Sequence, residues 1–180
     1  MNLSQCAILN DAMLGMICNR SRGLERLVVN GCTRLSDGGM QAVLAVLPRL
    51  CHLDVGGCTR LTDATLYEVA RAPCAGQLRL LDISGADVGC IGLTIAARAL
   101  TALEYLSVLS LPQLCDQDLA IVARISSLRS LCLGNTAALS DAGLEALQPL
   151  GLRELFVIHC PGLTDAVRYV VARMPTLRAI

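Results

Sequence analysis

One recurring motif constrains the fold of this chain more than any other feature. It is clearest over residues 50–66, which read LCHLDVGGCTRLTDATL and follow the pattern LxxLxVxxCxxLTDxxL. Full repeats begin every 24 to 28 residues, at Leu24, Leu50, Leu78, Leu103, Leu128 and Leu152. A unit of this length cannot bury its own apolar face, so neighbouring units must stack on one another. The repeat therefore predicts one solenoid over residues 1–180, with partial repeats at both ends.

Each repeat contains the signals of one strand and one helix. Leu53 and Val55 alternate with polar residues, which is the pattern of a strand with one buried face. A Ser or Thr followed by Asp comes next in four repeats, and we interpret this pair as a helix N-cap with an acidic first turn. These pairs are Ser36-Asp37, Thr62-Asp63, Ser140-Asp141 and Thr164-Asp165. Strands joined by helices can only pair in parallel, so we expect an α/β solenoid with a parallel sheet on its concave face and helices on its convex face.

Two repeats depart from the pattern. The third lacks the Ser/Thr-Asp pair over residues 85–93 and has Ala86 at the position of the cysteine. The fourth has Leu111 at that position and Cys115 followed by Asp116 where the cap should be. We expect the least regular helix starts in these two repeats.

Composition restricts the functional classes. Aromatic residues are only 2% of a chain that is 54% apolar, which predicts a core of small aliphatic side chains and cysteine. Basic and acidic residues are equal at 15 each, which argues against a partner that is nucleic acid or a membrane surface. We find no signal for secretion or for a transmembrane helix.

The ten cysteines favour a structural role rather than disulfides or a metal site. Four of them recur at one position of the repeat, as small core residues do, and no CxxC pair occurs. Stacked Cys32 and Cys58 would point the same way, which is poor disulfide geometry. Reduced cysteines indicate an intracellular protein, in the cytoplasm or the nucleus.

Neither end shows a polar capping repeat, so we expect the array to be part of a longer solenoid. The exposed end layers should then present apolar side chains, namely Leu3, Leu9, Met13 and Leu14 at one end and Leu177 and Ile180 at the other.

The sequence offers little for catalysis. His52 and Asp54 share a strand face like a base and its orienting acid, but no nucleophile motif or phosphate-binding loop accompanies them. The recurring aspartates could form a calcium site, although their place after Ser or Thr favours helix capping. We predict no catalytic residues, no cofactor and no metal, and an enzyme with an unrecognised site is the weaker alternative.

The motif LxxLxLxxCxxLTDxxL resembles the cysteine-containing leucine-rich repeats, and residues 24–40, 50–66 and 152–167 carry the resemblance best. This family is familiar from the substrate-binding halves of F-box ubiquitin-ligase adaptors and from mitotic-exit antagonist proteins. The resemblance implies protein recognition. A free-standing scaffold and the substrate-recognition part of an F-box ubiquitin ligase both stay open, and the second requires an F-box upstream of Met1.

The variable strand positions should point away from the core, onto the concave face. Phe156 is the only phenylalanine of the chain and falls at such a position. We predict that a partner is anchored near Phe156 and steered by charges on the early strands. The predicted partner-binding residues are Arg26, His52, Asp54, Asp82, Tyr105, Leu109, Phe156 and Ile158. The alternative is that Phe156 and Ile158 merely cover the sheet or meet a flanking segment.

Overall fold

Six parallel strands form the sheet that the repeat predicts. The computed structural model describes residues 1–179. The strands are β1 (Arg26–Val28), β2 (His52–Asp54), β3 (Leu80–Asp82), β4 (Tyr105–Leu109), β5 (Ser130–Gly134) and β6 (Glu154–Ile158). They pair in chain order from β1 to β6, because each return path is a helix. Single parallel bridges, Asn2 with Val28 and Glu154 with Ala179, continue the pairing at both ends.

Seven helices lie on the other side of the strands. They are α1 (Asp11–Arg20), α2 (Asp37–Leu44), α3 (Asp63–Arg71), α4 (Cys90–Ala99), α5 (Asp116–Val122), α6 (Asp141–Glu145) and α7 (Val167–Ala172). Within residues 1–179, none of them has the length and apolar character needed to span a bilayer. The strand–helix alternation and the all-parallel sheet confirm the predicted leucine-rich repeat solenoid.

The core consists of the recurring leucine, valine and cysteine positions. Leu53 and Val55 are fully buried, and the equivalent residues of the other full repeats are buried or partly buried. Cys58 is also fully buried, and its Sγ donates a weak hydrogen bond of 3.3 Å to the Val29 carbonyl of the preceding repeat. Burial raises the pKa of Cys58 to about 12, so the thiol is protonated. The ten cysteines all lie within the described residues as free thiols.

The aspartate at the first position of each helix joins neighbouring repeats. The carboxylate of Asp37 accepts hydrogen bonds of 2.9 Å from both the backbone N–H and the hydroxyl of Thr62, the N-cap of the following helix. It also accepts one from the Thr65 hydroxyl. Asp11, Asp116 and Asp141 make the same pair of bonds to the next repeat, while Asp63 accepts one from the Gly89 N–H. The predicted N-cap followed by an acidic first turn is present in α2, α3 and α6, and these aspartates in addition hold the start of the following helix.

This series of bonds is interrupted once, and the interruption is compensated locally. Cys90 occupies the aspartate position at the start of α4, so it offers no carboxylate to the next helix. The backbone N–H of Cys115 instead donates to Asp118 of its own helix, at 2.8 Å. At the position equivalent to Asp118, three other helices have a glycine whose added Cβ would lie 2.1 to 2.4 Å from the preceding aspartate, at Gly39, Gly92 and Gly143. The carboxylate of Asp118 thus replaces one that normally comes from the preceding repeat.

The irregular helix start is not where the sequence places it. Helices α4 and α5 begin at the expected positions, with Gly89 and Cys115 as their N-caps. The exception is α7, which begins at Val167 after the N-cap Ala166, so the Thr164-Asp165 pair precedes the helix rather than capping it. The expectation for the third and fourth repeats was wrong because Asp63 accepts from the Gly89 N–H and Asp118 accepts from the Cys115 N–H at these two helix starts.

The expected exposure of the end layers is only partly correct. Leu9 and Leu14 are buried, at 2% and 0% exposure, because they pack into the core. Leu3, Met13 and Leu177 are partly buried, and Ile180 lies outside the described residues. The large apolar side chains exposed near the first helix are instead Ile8 and Met16.

We predict that Leu53→Ala lowers the free energy of unfolding by about 2–5 kcal/mol, through lost burial and a cavity. Leu80→Ala is the matched control, since Leu80 is half-buried on the neighbouring strand and faces away from the core. The control should cost about 1 kcal/mol or less in urea denaturation. Equal losses for the two variants would contradict the assigned orientation of the strand.

We also predict that Asp37→Asn costs about 1–3 kcal/mol, because an amide cannot accept every hydrogen bond that Thr62 and Thr65 donate. Burial alone would raise the pKa of Asp37, but these hydrogen bonds outweigh it and lower the pKa below 3.8. The stability that the Asp37 carboxylate contributes is therefore present above pH 3.8 and is lost as the pH falls through its lower folded-state pKa. Chemical denaturation at pH 7 and at pH 3 measures it. The control is Asp165→Asn. Asp165 is exposed at the equivalent position of the last repeat, so this substitution should leave the free energy of unfolding unchanged.

Candidate protein-binding face

The face of the sheet that points away from the helices carries three rows of side chains across the strands. It is the face that the sequence predicts to be the concave one, and we call it the outer sheet face because it points away from the helices. The strand register places Arg26, His52, Leu80, Tyr105, Ser130 and Glu154 in the first row. The second row contains Val28, Asp54, Asp82, Ser107, Cys132 and Phe156. The third contains Leu109, Gly134 and Ile158, preceded by Asn30, Gly56 and Ser84.

All eight predicted partner-binding residues lie on this face. Arg26, Phe156 and Ile158 are exposed, with Phe156 at 38% and Ile158 at 42%. The other five are half-buried, namely His52, Asp54, Asp82, Tyr105 and Leu109. The period-two alternation therefore located the face correctly, and the exposed large apolar side chains of this face lie on β6.

Small side chains form a low floor between the taller ones. Ser107, Ser130 and Cys132 face outward yet are only 1% to 8% exposed. The Ser107 hydroxyl lies 2.8 Å from that of Ser84, and Ser130 donates a hydrogen bond of 2.8 Å to Glu154. In the second row, the outer sheet face is therefore low over β4 and β5, at Ser107 and Cys132, between Asp82 and Phe156. We call this low stretch the trough.

Two aspartates stand directly opposite each other on adjacent strands. Asp54 accepts hydrogen bonds from the Gly56 N–H at 3.0 Å and from the Asn30 amide at 3.5 Å, and Asp82 accepts one from the Ser84 N–H at 2.9 Å. Burial raises the pKa of Asp82, and the charge of Asp54 adds to this although Ser84 opposes it. Like charges in this arrangement destabilise a sheet.

His52 does not supply the charge that the sequence analysis assigns to it. Burial is the main cause that lowers the pKa of His52 below 6.5, and the nearby positive charge of Arg26 lowers it further. Asp54 and Asp82 oppose this shift without reversing it. The imidazole is therefore neutral at pH 7, and the steering charges of the early strands are those of Arg26, Asp54 and Asp82.

The thiol of Cys132 and the hydroxyl of Tyr105 are not activated as nucleophiles. Burial raises the pKa of the Cys132 thiol and of the Tyr105 hydroxyl, so both are protonated and poorly nucleophilic at pH 7. Within residues 1–179, no group of three His, Cys, Asp or Glu side chains could hold a metal ion. The arrangement provides contact surface, charge and hydrogen-bond donors and acceptors.

Large apolar side chains are also exposed away from the outer sheet face, at Ile8 and Met16 near α1 and at Ile91 on α4. The helical side exposes Tyr67 and Tyr169, but Arg71 and Arg168 of the same helices lie 5.1 and 4.9 Å from the centres of these two rings. A cleft at the amino edge of the sheet is lined by Arg79, Glu104, Arg129 and Arg153, with one ion pair of 3.8 Å between Arg79 and Glu104. It is charged and open, without an apolar anchor.

The trough and the desolvation of Asp82 were not predicted from the sequence. Ser107 and Ser130 were visible as small residues at outward positions, which was the available signal for the floor. The burial of Asp82 had no such signal, because it depends on the residues of the next strand.

The stacked strand–helix units and the open outer sheet face define a leucine-rich repeat solenoid. No protein-family model matches the sequence, and no curated protein matches it. Among solved structures, the chain is similar to a chain in the crystal structure of the Rad7 and Elc1 complex in yeast, with 21% sequence identity and a TM-score of 0.65. The match covers 98% of this chain and 53% of that one, so this chain spans about half the length of its neighbour. At this identity, the likeness shows a shared fold.

We predict that Asp82→Asn raises the midpoint of thermal unfolding at pH 7, because it removes a partly buried charge facing Asp54 while its side-chain oxygen still accepts from Ser84. A raised folded-state pKa means that ionisation weakens the fold as the pH rises. The increase in the unfolding midpoint should therefore be full above the folded-state pKa of Asp82. It should disappear below pH 3.8, the ordinary pKa of an aspartate. Melting curves from pH 3 to pH 8 measure it. A loss of stability at pH 7 would show that the hydrogen bonds of Asp82 outweigh its desolvation.

Proposed function

We propose that this chain is a non-catalytic protein-interaction module that binds its partner on the outer sheet face. The observation that carries the proposal is the exposure of Phe156 beside Ile158 on a face that no helix covers within residues 1–179. Exposed aromatic and aliphatic side chains on an otherwise polar surface mark contact sites. Tyr105 and Leu109 extend the apolar surface toward the middle of the sheet.

The arrangement of the aromatic residues favours this face over the helical side. The rings of Tyr67 and Tyr169 already have arginine partners on their own helices, whereas no cation stacks on Phe156 within the described chain. A ring without such a partner gains more from burial against another protein. The neutral net charge favours a protein partner over nucleic acid or a membrane surface.

The similarity to a chain of the Rad7 and Elc1 complex supports a module that works within a protein assembly. Together with the resemblance to F-box adaptors, it keeps substrate recognition for a ubiquitin ligase as a second candidate. A free-standing scaffold would use the same face. Co-purification of ubiquitin-ligase subunits with the full-length protein would favour the adaptor. An intracellular location, in the cytoplasm or nucleus, fits the ten free thiols. That the array belongs to a longer solenoid stays a prediction.

The test is affinity purification of the full-length protein carrying Phe156→Ala or Tyr105→Ala, beside Tyr67→Ala as a control on the helical side. We expect the outer-face variants to recover at least about tenfold less partner, because buried aromatic anchors dominate binding energy. Recovery by Tyr67→Ala should equal that of the wild type. Melting curves establish that all three variants stay folded. If only Tyr67→Ala loses the partner, the helical side is the binding surface and the proposal is wrong.

A further inference from the structure

The outer sheet face is acidic although the chain as a whole is neutral. Its side chains carry three acidic groups, on Asp54, Asp82 and Glu154, against the cation of Arg26 and the neighbouring Met1 ammonium group, because His52 is neutral at pH 7. Arginines collect elsewhere, at the amino edge of the sheet, where Arg79, Arg129 and Arg153 line a cleft. Charge is therefore segregated between two surfaces, and the outer sheet face favours a basic partner.

The acidic charge is focused between β2 and β3. A Cβ added to Gly56 would lie 3.3 Å from Oδ1 of Asp54 and 3.2 Å from Oδ1 of Asp82, so both oxygens converge beside the same backbone position. The neutral Asn30 amide also approaches this position, and the hydrogen bond that it donates to Asp54 is long at 3.5 Å. The one ion pair of the described chain joins Arg79 to Glu104, so neither Asp54 nor Asp82 has a cationic partner.

An unpaired, half-buried acidic pair is costly to the free protein. A basic side chain from outside would relieve that repulsion and would be held by two carboxylates in a partly desolvated place. The surface is open enough to admit it, since both aspartates are half-exposed. The apolar end of the face lies on β6, beyond the low floor of β4 and β5.

We propose that the outer sheet face binds an extended segment of a partner protein that crosses the strands, with a lysine or arginine between Asp54 and Asp82 and a large apolar residue against Phe156 and Ile158. This inference rests on the proposed function and specifies the chemistry of the partner. Ser107 and Cys132 lie between these two anchors in the second row, and because both are small and almost fully buried, neither projects into the path of the segment.

The strand spacing sets the distance between the two anchors. Neighbouring strands lie about 4.8 Å apart, so the space between β2 and β3 is about 17 Å from β6. An extended peptide advances about 3.3 Å per residue. The basic and apolar residues of the partner segment should therefore be about five positions apart.

The experiment selects random 12-residue peptides, displayed on yeast, for binding to the intact chain. We expect the enriched peptides to carry a lysine or arginine about five positions from a large apolar residue. Their affinity should fall at least about tenfold on the Asp54→Asn, Asp82→Asn double variant and on Phe156→Ala. The double variant keeps the size and the accepting oxygens of both side chains, so it should fold. The matched control is Glu145→Gln with Asp165→Asn, which removes two exposed carboxylates away from the outer sheet face.

The outcomes separate this inference from the proposed function. If peptides require Phe156 but neither contain a basic residue nor respond to the double variant, the inference is overturned and the binding face stands. If only the Tyr67→Ala substitution weakens peptide binding, both the inference and the proposed function are wrong. If the wild-type chain enriches no basic peptide but self-associates in sedimentation, and the double variant does not, a second copy occupies the face and the inference is overturned.

Discussion

The hydrogen bonds between neighbouring units are the constraint on which the rest of the structure depends. Backbone bonds join adjacent strands on one side of the core, and the carboxylate of Asp37 holds the N–H and hydroxyl of Thr62 on the other. Each unit is therefore fixed to the next at two points, with the leucine positions buried between them. A relative slip of one unit would break both sets of bonds and would move Leu53 out of its layer.

The register that these bonds fix also builds the outer sheet face. The strand register decides which side chains lie side by side on this face, as it does for Asp82, which lies between Asp54 and Ser107. The same register aligns small residues on β4 and β5, so a trough forms without any loop or insertion. Residues from separate repeats thus act as one surface although none of them is adjacent in sequence.

The sequence predicted the strands, their order and the residues of the outer sheet face, because a period of two and a repeated motif are local signals. It did not predict which of two neighbouring units an aspartate contacts, since Asp37 beside Ser36 has the same pattern whether it serves its own helix or the next. The burial of Asp82 and the neutral state of His52 could not be predicted from the sequence for a related reason. Both depend on side chains that come from other repeats, and a single repeat carries no record of them.

The local compensation at α5 has a consequence for how such arrays change length. Every other described junction that carries an aspartate depends on a pair of residues divided between two units, so cutting the array there leaves a backbone N–H near the start of the following helix without its carboxylate acceptor. The unit that contains Cys115 and Asp118 satisfies its own helix start. The boundary before it is therefore the one described junction between neighbouring helices where the array can be cut shorter with no loss of a carboxylate acceptor.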